Sequence, residues 1–148
     1  MYSRFLLVSI CFLTLFDFSN AETKSENFTD SQIVNIQLEA LKESLVNMKV
    51  YRFQQLFDQK QVNIDTVFQP DFLFPNNVFA SMGDAEFKSS LKIFTLFEPT
   101  ISANRSIQAL ITISYRMSGK KHKMEKEVLI SKDGHSPTGF VFSGFRQL

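Results

Sequence analysis

The side chains that we consider for acid–base catalysis are Asp65, Asp71, Tyr115, His122 and His135. A proton-transfer site needs a base with a tuned pKa and a hydrogen-bond donor for the developing oxyanion. Tyr115 and His122 could form the donor pair, with one of the aspartates as the base. Simpler roles are favoured, however. His122 adjoins a lysine-rich turn, His135 lies in a Gly/Ser/Pro loop, and both aspartates suit turns or helix caps. We therefore assign no catalytic residue.

Other kinds of chemical site are not indicated. The five glycines form no phosphate-binding loop, and neither a His-Glu-x-x-His metal motif nor a Gly-x-Ser-x-Gly nucleophile elbow occurs. The run Lys120-Lys121-His122-Lys123 could contact acidic glycans. Because Glu125 and Glu127 dilute its charge, a solvated, charge-protected turn is favoured. The sequence predicts neither a metal nor a cofactor.

Residues 1–21 have the three parts of a secretory signal peptide. Arg4 supplies the positive charge, Phe5–Phe16 is an apolar run, and Ser19-Asn20-Ala21 places small residues at the cleavage site. A helix of that run would rise about 18 Å, short of the roughly 30 Å hydrocarbon core of a bilayer. We therefore expect a secreted protein that begins at Glu22 and has no membrane partner.

Charge and cysteine content agree with an exported domain. The formal net charge is +1, from 16 basic and 15 acidic residues, so no basic surplus predicts nucleic-acid binding. The single cysteine, Cys11, lies in the signal peptide, and the processed chain is expected to fold without a disulfide. The sequons at Asn27 and Asn104 predict N-glycosylation.

Positions 107–130 predict a β-hairpin whose two strands bury one face. Apolar side chains occupy every second position from 107 to 117, and the alternation resumes at Met124. Ser118-Gly119-Lys120-Lys121 interrupts it with a turn signal, and we expect a two-residue Gly119-Lys120 turn. The expected pairs are Met117 with His122, Tyr115 with Met124, Ile111 with Val128 and Ala109 with Ile130.

The N-terminal part predicts a long helix. Thr29-Asp30-Ser31-Gln32 fits a capping box. Apolar residues at three- to four-residue spacing follow, and we expect one helix, or two in line, ending near 59–61. The stripe is expected to face the core rather than a partner protein. It consists of Val34, Leu38, Leu41, Leu45, Met48, Phe53, Leu56 and Phe57.

Shorter elements complete the chain. The sequence predicts a short helix near Ile64–Phe68, a strand through Phe72 and Phe74, and a brief return strand at Val78-Phe79. A helix capped by Asp84 is expected next, with Phe87, Leu91 and Phe94 on one side. A last strand is expected from Phe140 to Leu148. Helices followed by antiparallel strands predict one domain of the α+β class.

The motifs Phe68-x-Pro70-Asp71-Phe72-x-Phe74 and Glu86-Phe87-x-x-x-Leu91, in this order of elements, resemble the nuclear transport factor 2-like fold. Ketosteroid isomerases, scytalone dehydratase and polyketide cyclases also use that fold, and the chain is especially similar to small secreted nematode domains of this class. The resemblance covers residues 43–148 and leaves 22–42 as an N-terminal extension in which the helix starts. It implies a long N-terminal helix and short helices packed in a strongly curved antiparallel sheet, a cone-like barrel with a pocket at its open end.

Aromatic residues would line such a pocket, because thirteen of the seventeen phenylalanines lie beyond residue 21. An ordinary phenylalanine-rich core is the alternative. We expect a secreted, non-enzymatic domain that binds a small apolar ligand or a protein partner, as a monomer or weak homodimer. The alternatives are a small proton-transfer enzyme of the isomerase or dehydratase kind, and an interaction module with a filled cone. The pocket candidates are Phe53, Phe57, Phe72, Tyr115, His122 and Phe142.

Overall fold

The computed structural model describes residues 28–63 and 82–147. The signal peptide, the Asn27 sequon, Asp65, Asp71 and the elements expected between Ile64 and Phe79 lie outside these ranges. Within them, no helix is long and apolar enough to cross a membrane.

The described residues form three helices and an antiparallel sheet, which confirms the α+β class. Five strands pair in the order β1-β3-β4-β5, and β2 also pairs with β3, so the sheet is not closed. The elements are α1 (Asp30–Val46), α2 (Val50–Gln54), α3 (Ala85–Ser90), β1 (Lys92–Thr95), β2 (Thr100–Ile101), β3 (Ile107–Met117), β4 (Lys120–Lys132) and β5 (Phe140–Gln147).

The predicted capping box starts α1. The Thr29 hydroxyl accepts a hydrogen bond from the Gln32 backbone N–H at 3.3 Å, and the Gln32 side chain accepts one from the Thr29 N–H at 2.9 Å. The helix then ends earlier than expected, because Met48 has a left-handed φ of 53°. The N–H groups of Met48 and Lys49 donate to the carbonyls of Leu45 and Ser44, which is a Schellman motif. The prediction of one uninterrupted helix is therefore wrong. Two helices form instead, and the second ends at Gln54 rather than near 59–61.

The break at the end of α1 also removes Met48 from the buried stripe. Its side chain is 54% exposed, whereas the predicted core contacts of the stripe before and after it are confirmed. The buried members are Val34, Leu38, Leu41, Leu45, Phe53, Leu56 and Phe57.

The β3–β4 hairpin is confirmed, but its expected register is wrong. The turn consists of Ser118 and Gly119, with φ of 52° and 75°, so Tyr115 pairs with His122 rather than with Met124. A type I′ turn needs positive φ at both central residues, and glycine at the second satisfies this need best. The turn lies one residue earlier in the chain than expected. The apolar residues of β3 and those of β4 still lie on the same face of the sheet, as expected.

The region after Asp84 also differs in part from the expectation. The Asp84 carboxylate accepts hydrogen bonds from the N–H groups of Glu86 and Phe87, which confirms the cap. The helix then stops at Ser90, and Phe94 lies in β1 opposite Thr112. Helical spacing from Phe87 to Phe94 was misleading, because pairing with β3 determines the conformation of this segment.

The core lies between the helices and the face of the sheet that carries the odd residues of β3, which we call the inner face. Strand β5 contributes Phe140 and Phe142 to it, as predicted. The chain after α2 is tied to the same strand, since the Phe142 N–H donates to the Leu56 carbonyl and the Asp58 N–H donates to the Phe142 carbonyl. These bonds hold the end of α2 against the inner face.

Candidate functional site

Three of the predicted pocket residues belong to one group of aromatic rings, which we call the phenylalanine cluster. It consists of Phe53, Phe57, Phe142 and Phe145. The Phe57 ring centre lies 4.9 Å from that of Phe53, 5.4 Å from that of Phe142 and 5.8 Å from that of Phe145. These tilted contacts lie in the favourable range for aromatic pairs. The rings therefore stabilise one another.

Two further pocket candidates, Tyr115 and His122, lie at the turn end of the hairpin, in a second group of rings that we call the tyrosine–histidine stack. It consists of Tyr115, His122 and Phe87. The Tyr115 and His122 rings are nearly parallel, 5.1 Å apart at 13°, and Phe87 packs edge-on against Tyr115 at 5.3 Å. Strand pairing causes the stack, because Tyr115 and His122 are directly opposite on the inner face. Phe72 lies outside the described ranges.

The Tyr115 hydroxyl is the unusual polar atom of this group. Its side chain is 1% exposed, and the hydroxyl oxygen has no hydrogen-bond partner within the described ranges. Burial raises the pKa of Tyr115 to about 12, because the phenolate would lose its hydration. At neutral pH the group is consequently a protonated donor.

The rings of Tyr115 and His122 stack rather than share a proton. The Tyr115 hydroxyl has no hydrogen-bond partner among the described residues, and His122 contacts it through the ring stack. The two aspartates considered as bases, Asp65 and Asp71, lie outside the described ranges. This part of the chain therefore presents a donor without an accompanying base.

Sequence reasoning missed a buried lysine on the inner face. Lys126 is 6% exposed and lies opposite Ile111, between Met124 and Val128 on the same side of β4. The alternation that placed Met124 and Val128 inward also places Lys126 inward, so the position of this lysine could have been predicted from the sequence. A cation in this position adds a polar element to an otherwise apolar surface.

The remaining candidates lie on the surface. Asn104 is exposed in a tight turn, where the Arg105 N–H donates to the Ser102 carbonyl. His135 is exposed and lines a cavity of about 330 Å³ between the end of α2 and the loop before β5, together with Phe57 and Asp133. Its backbone N–H donates to the Asp133 carboxylate at 2.8 Å. A larger cavity, of about 370 Å³, lies beside the hairpin turn.

Comparisons with known proteins assign no family. No family model matches the chain. Over 60 residues it is 63% identical to the uncharacterized Caenorhabditis elegans protein C27D6.1, a match that covers 40% of this chain but 8% of that protein. The solved periplasmic domain of DotI is similar with a TM-score of 0.47 and 16% identity, over 82% of this chain and 96% of that domain.

Proposed function

We propose that the protein is an exported, non-enzymatic domain that binds a small apolar ligand carrying one hydrogen-bond acceptor. In this proposal the signal peptide at 1–21 is removed, Asn27 and Asn104 carry glycans, and the domain is a monomer or weak homodimer. Its fold would be nuclear transport factor 2-like, with the open sheet curved around α1 as a cone and the inner face as the binding surface.

The proposal rests on the Tyr115 hydroxyl, which is buried and has no partner among the described residues. A hydroxyl that is buried without a partner costs roughly 1–3 kcal/mol. An acceptor atom of a ligand, such as a carbonyl oxygen, would remove this cost. Phe87 and the neighbouring inner-face pair Ile113 and Met124 would supply the apolar contacts. One donor within apolar surroundings is the usual composition of a small-molecule site.

Native mass spectrometry of the protein secreted from eukaryotic cells, before and after deglycosylation, tests the proposal. We expect a polypeptide that begins at Glu22, with extra mass that survives deglycosylation and leaves on denaturation. The released molecule would identify the ligand class. A spectrum of bare polypeptide would contradict the ligand proposal and direct attention to protein partners.

Matched variants locate the ligand. Tyr115→Phe removes only the buried hydroxyl, and we expect it to abolish the extra mass or reduce it several-fold. Tyr51→Phe removes the hydroxyl of a tyrosine that is 74% exposed and should leave the extra mass unchanged. Equal retention by both variants would place the ligand away from Tyr115.

A further inference from the structure

The cavity beside the hairpin turn is a second candidate binding site, and Tyr115 of the tyrosine–histidine stack also borders it. Its lining residues come from α3, β1 and both strands of the hairpin. Besides Tyr115, side chains of three chemical kinds contribute: three cations, three serine hydroxyls and one carboxylate. They are Lys92, Arg116, Lys121, Ser89, Ser90, Ser114 and Glu86.

The three cations of this cavity form no ion pair with any described residue. In the described part of the chain, ion pairs engage other basic residues, for example Lys123 with Glu125 at 2.7 Å and Arg146 with Glu127 at 3.7 Å, and none involves Lys92, Arg116 or Lys121. The Glu86 carboxylate instead accepts a hydrogen bond from the Gly119 N–H at 3.0 Å.

Strand register adds a second observation, because Arg116 and Lys121 are directly opposite each other. Like charges in such a pair destabilise a sheet. The Arg116 N–H donates to the Ser90 hydroxyl at 2.7 Å, away from β4, so the two residues form a non-hydrogen-bonded pair, whose side chains approach most closely. The hairpin therefore holds two repelling cations at the mouth of a cavity, an arrangement that an anion between them would stabilise.

The geometry points to a binding site for a ligand that carries a tetrahedral oxyanion, a sulfate or phosphate group. Arg116 and Lys121 would bind the anion with charge-assisted hydrogen bonds. Lys92 adds a third charge, and it lies opposite Ser114 on β3. The Ser114 hydroxyl has no partner among the described residues and is free to donate. Since about 370 Å³ exceeds what one anion needs, a sugar ring attached to it would also fit.

Calorimetric titration and thermal unfolding of the secreted protein test this site. The probes are sodium sulfate, sodium phosphate and a sulfated disaccharide, each compared with sodium chloride at equal ionic strength. We expect binding of at least one oxyanion probe and a rise in Tm beyond that given by chloride. Stronger binding of the disaccharide than of sulfate would identify a sugar ester as the ligand, and equal binding would identify the free anion.

Two variants that each lose one positive charge distinguish a specific anion-binding site from non-specific electrostatic attraction of anions to the protein. Lys121→Gln should weaken oxyanion binding about tenfold and, in chloride, raise Tm by a few degrees because the repulsion is gone. Lys120→Gln removes the neighbouring charge, which does not line the cavity, and should leave binding unchanged.

Sulfate also stabilises proteins by exclusion from their surface, and the double variant Arg116→Gln/Lys121→Gln measures that effect. Equal sulfate responses of the double variant and the wild type would overturn the proposal.

Discussion

The phenylalanine cluster and the tyrosine–histidine stack lie on the same face of one sheet, yet they differ in how complete their interactions are. In the cluster, Phe57 contacts three other rings, and none of these side chains has a polar atom. In the stack, a hydroxyl as deeply buried as those rings has no partner in the described ranges. Burial is therefore common to both groups, and the difference between them is the hydrogen-bonding capacity left unsatisfied in the stack.

The largest effect that this comparison predicts is in the phenylalanine cluster. Phe142→Ala should lower the free energy of unfolding by about 3–5 kcal/mol, because it removes a fully buried ring and leaves a cavity. Urea denaturation measures the change. Phe97→Ala, at a position that is 70% exposed, is the control and should change stability by less than about 0.5 kcal/mol. A loss below about 1 kcal/mol for Phe142→Ala would mean that the cluster lines an open space.

A smaller effect is expected from the stack at high pH. The pKa of Tyr115 is raised from 10.0 to about 12 in the folded protein, so the folded state binds the phenolic proton more tightly than the unfolded state does. The resulting stability is fully present below pH 10 and is lost as the pH rises towards 12, by roughly 2–3 kcal/mol in total.

Urea denaturation between pH 9 and 12 checks this pH dependence, with Tyr115→Phe as the reference. Other groups also titrate in this range, but the variant retains them, so the difference between the two proteins isolates Tyr115. A constant difference across the range would contradict the raised pKa of this tyrosine.

The smallest effect concerns the same hydroxyl at neutral pH. In protein freed of ligand, Tyr115→Phe should leave the free energy of unfolding unchanged or raise it by up to about 1 kcal/mol, because an unpaired polar group is removed. Chemical denaturation at pH 7 measures it, alongside Tyr51→Phe. If Tyr115→Phe were destabilising by more than about 1 kcal/mol, the hydroxyl would have an internal partner and the contrast between the two groups would disappear.

The faces of the sheet were predictable from sequence, but the register was not. Turns at 118–119 and at 119–120 both keep Tyr115 and Met124 on the inner face, so the hydrophobic pattern cannot separate them. The preference of the turn for glycine at its second position decides. Strand β1 was missed for a related reason: Phe87, Leu91 and Phe94 fit helical spacing, and only pairing with the distant strand β3 shows otherwise.

The sequence predicted on which face of the sheet the candidate site residues lie, but not which hydrogen bonds and ring contacts they make. Alternation placed Tyr115 and His122 inward, but the missing partner of the hydroxyl depends on which neighbours the fold brings near it. The same limit applies to Arg116 and Lys121, whose opposition follows from the register. Aromatic content likewise could not tell that Phe53, Phe57 and Phe142 contact one another.

The hydrogen bonds between the segment after α2 and β5 also affect the order in which the chain can fold during synthesis. Phe142 supplies the N–H that holds Leu56 and the carbonyl that holds Asp58, yet β5 is synthesised after both. At about 5–20 residues per second, the segment after α2 is made roughly 5–20 s before β5. A nascent chain that stalls before Phe140 would lack both hydrogen bonds, so this segment is fixed to the sheet only after β5 has been made.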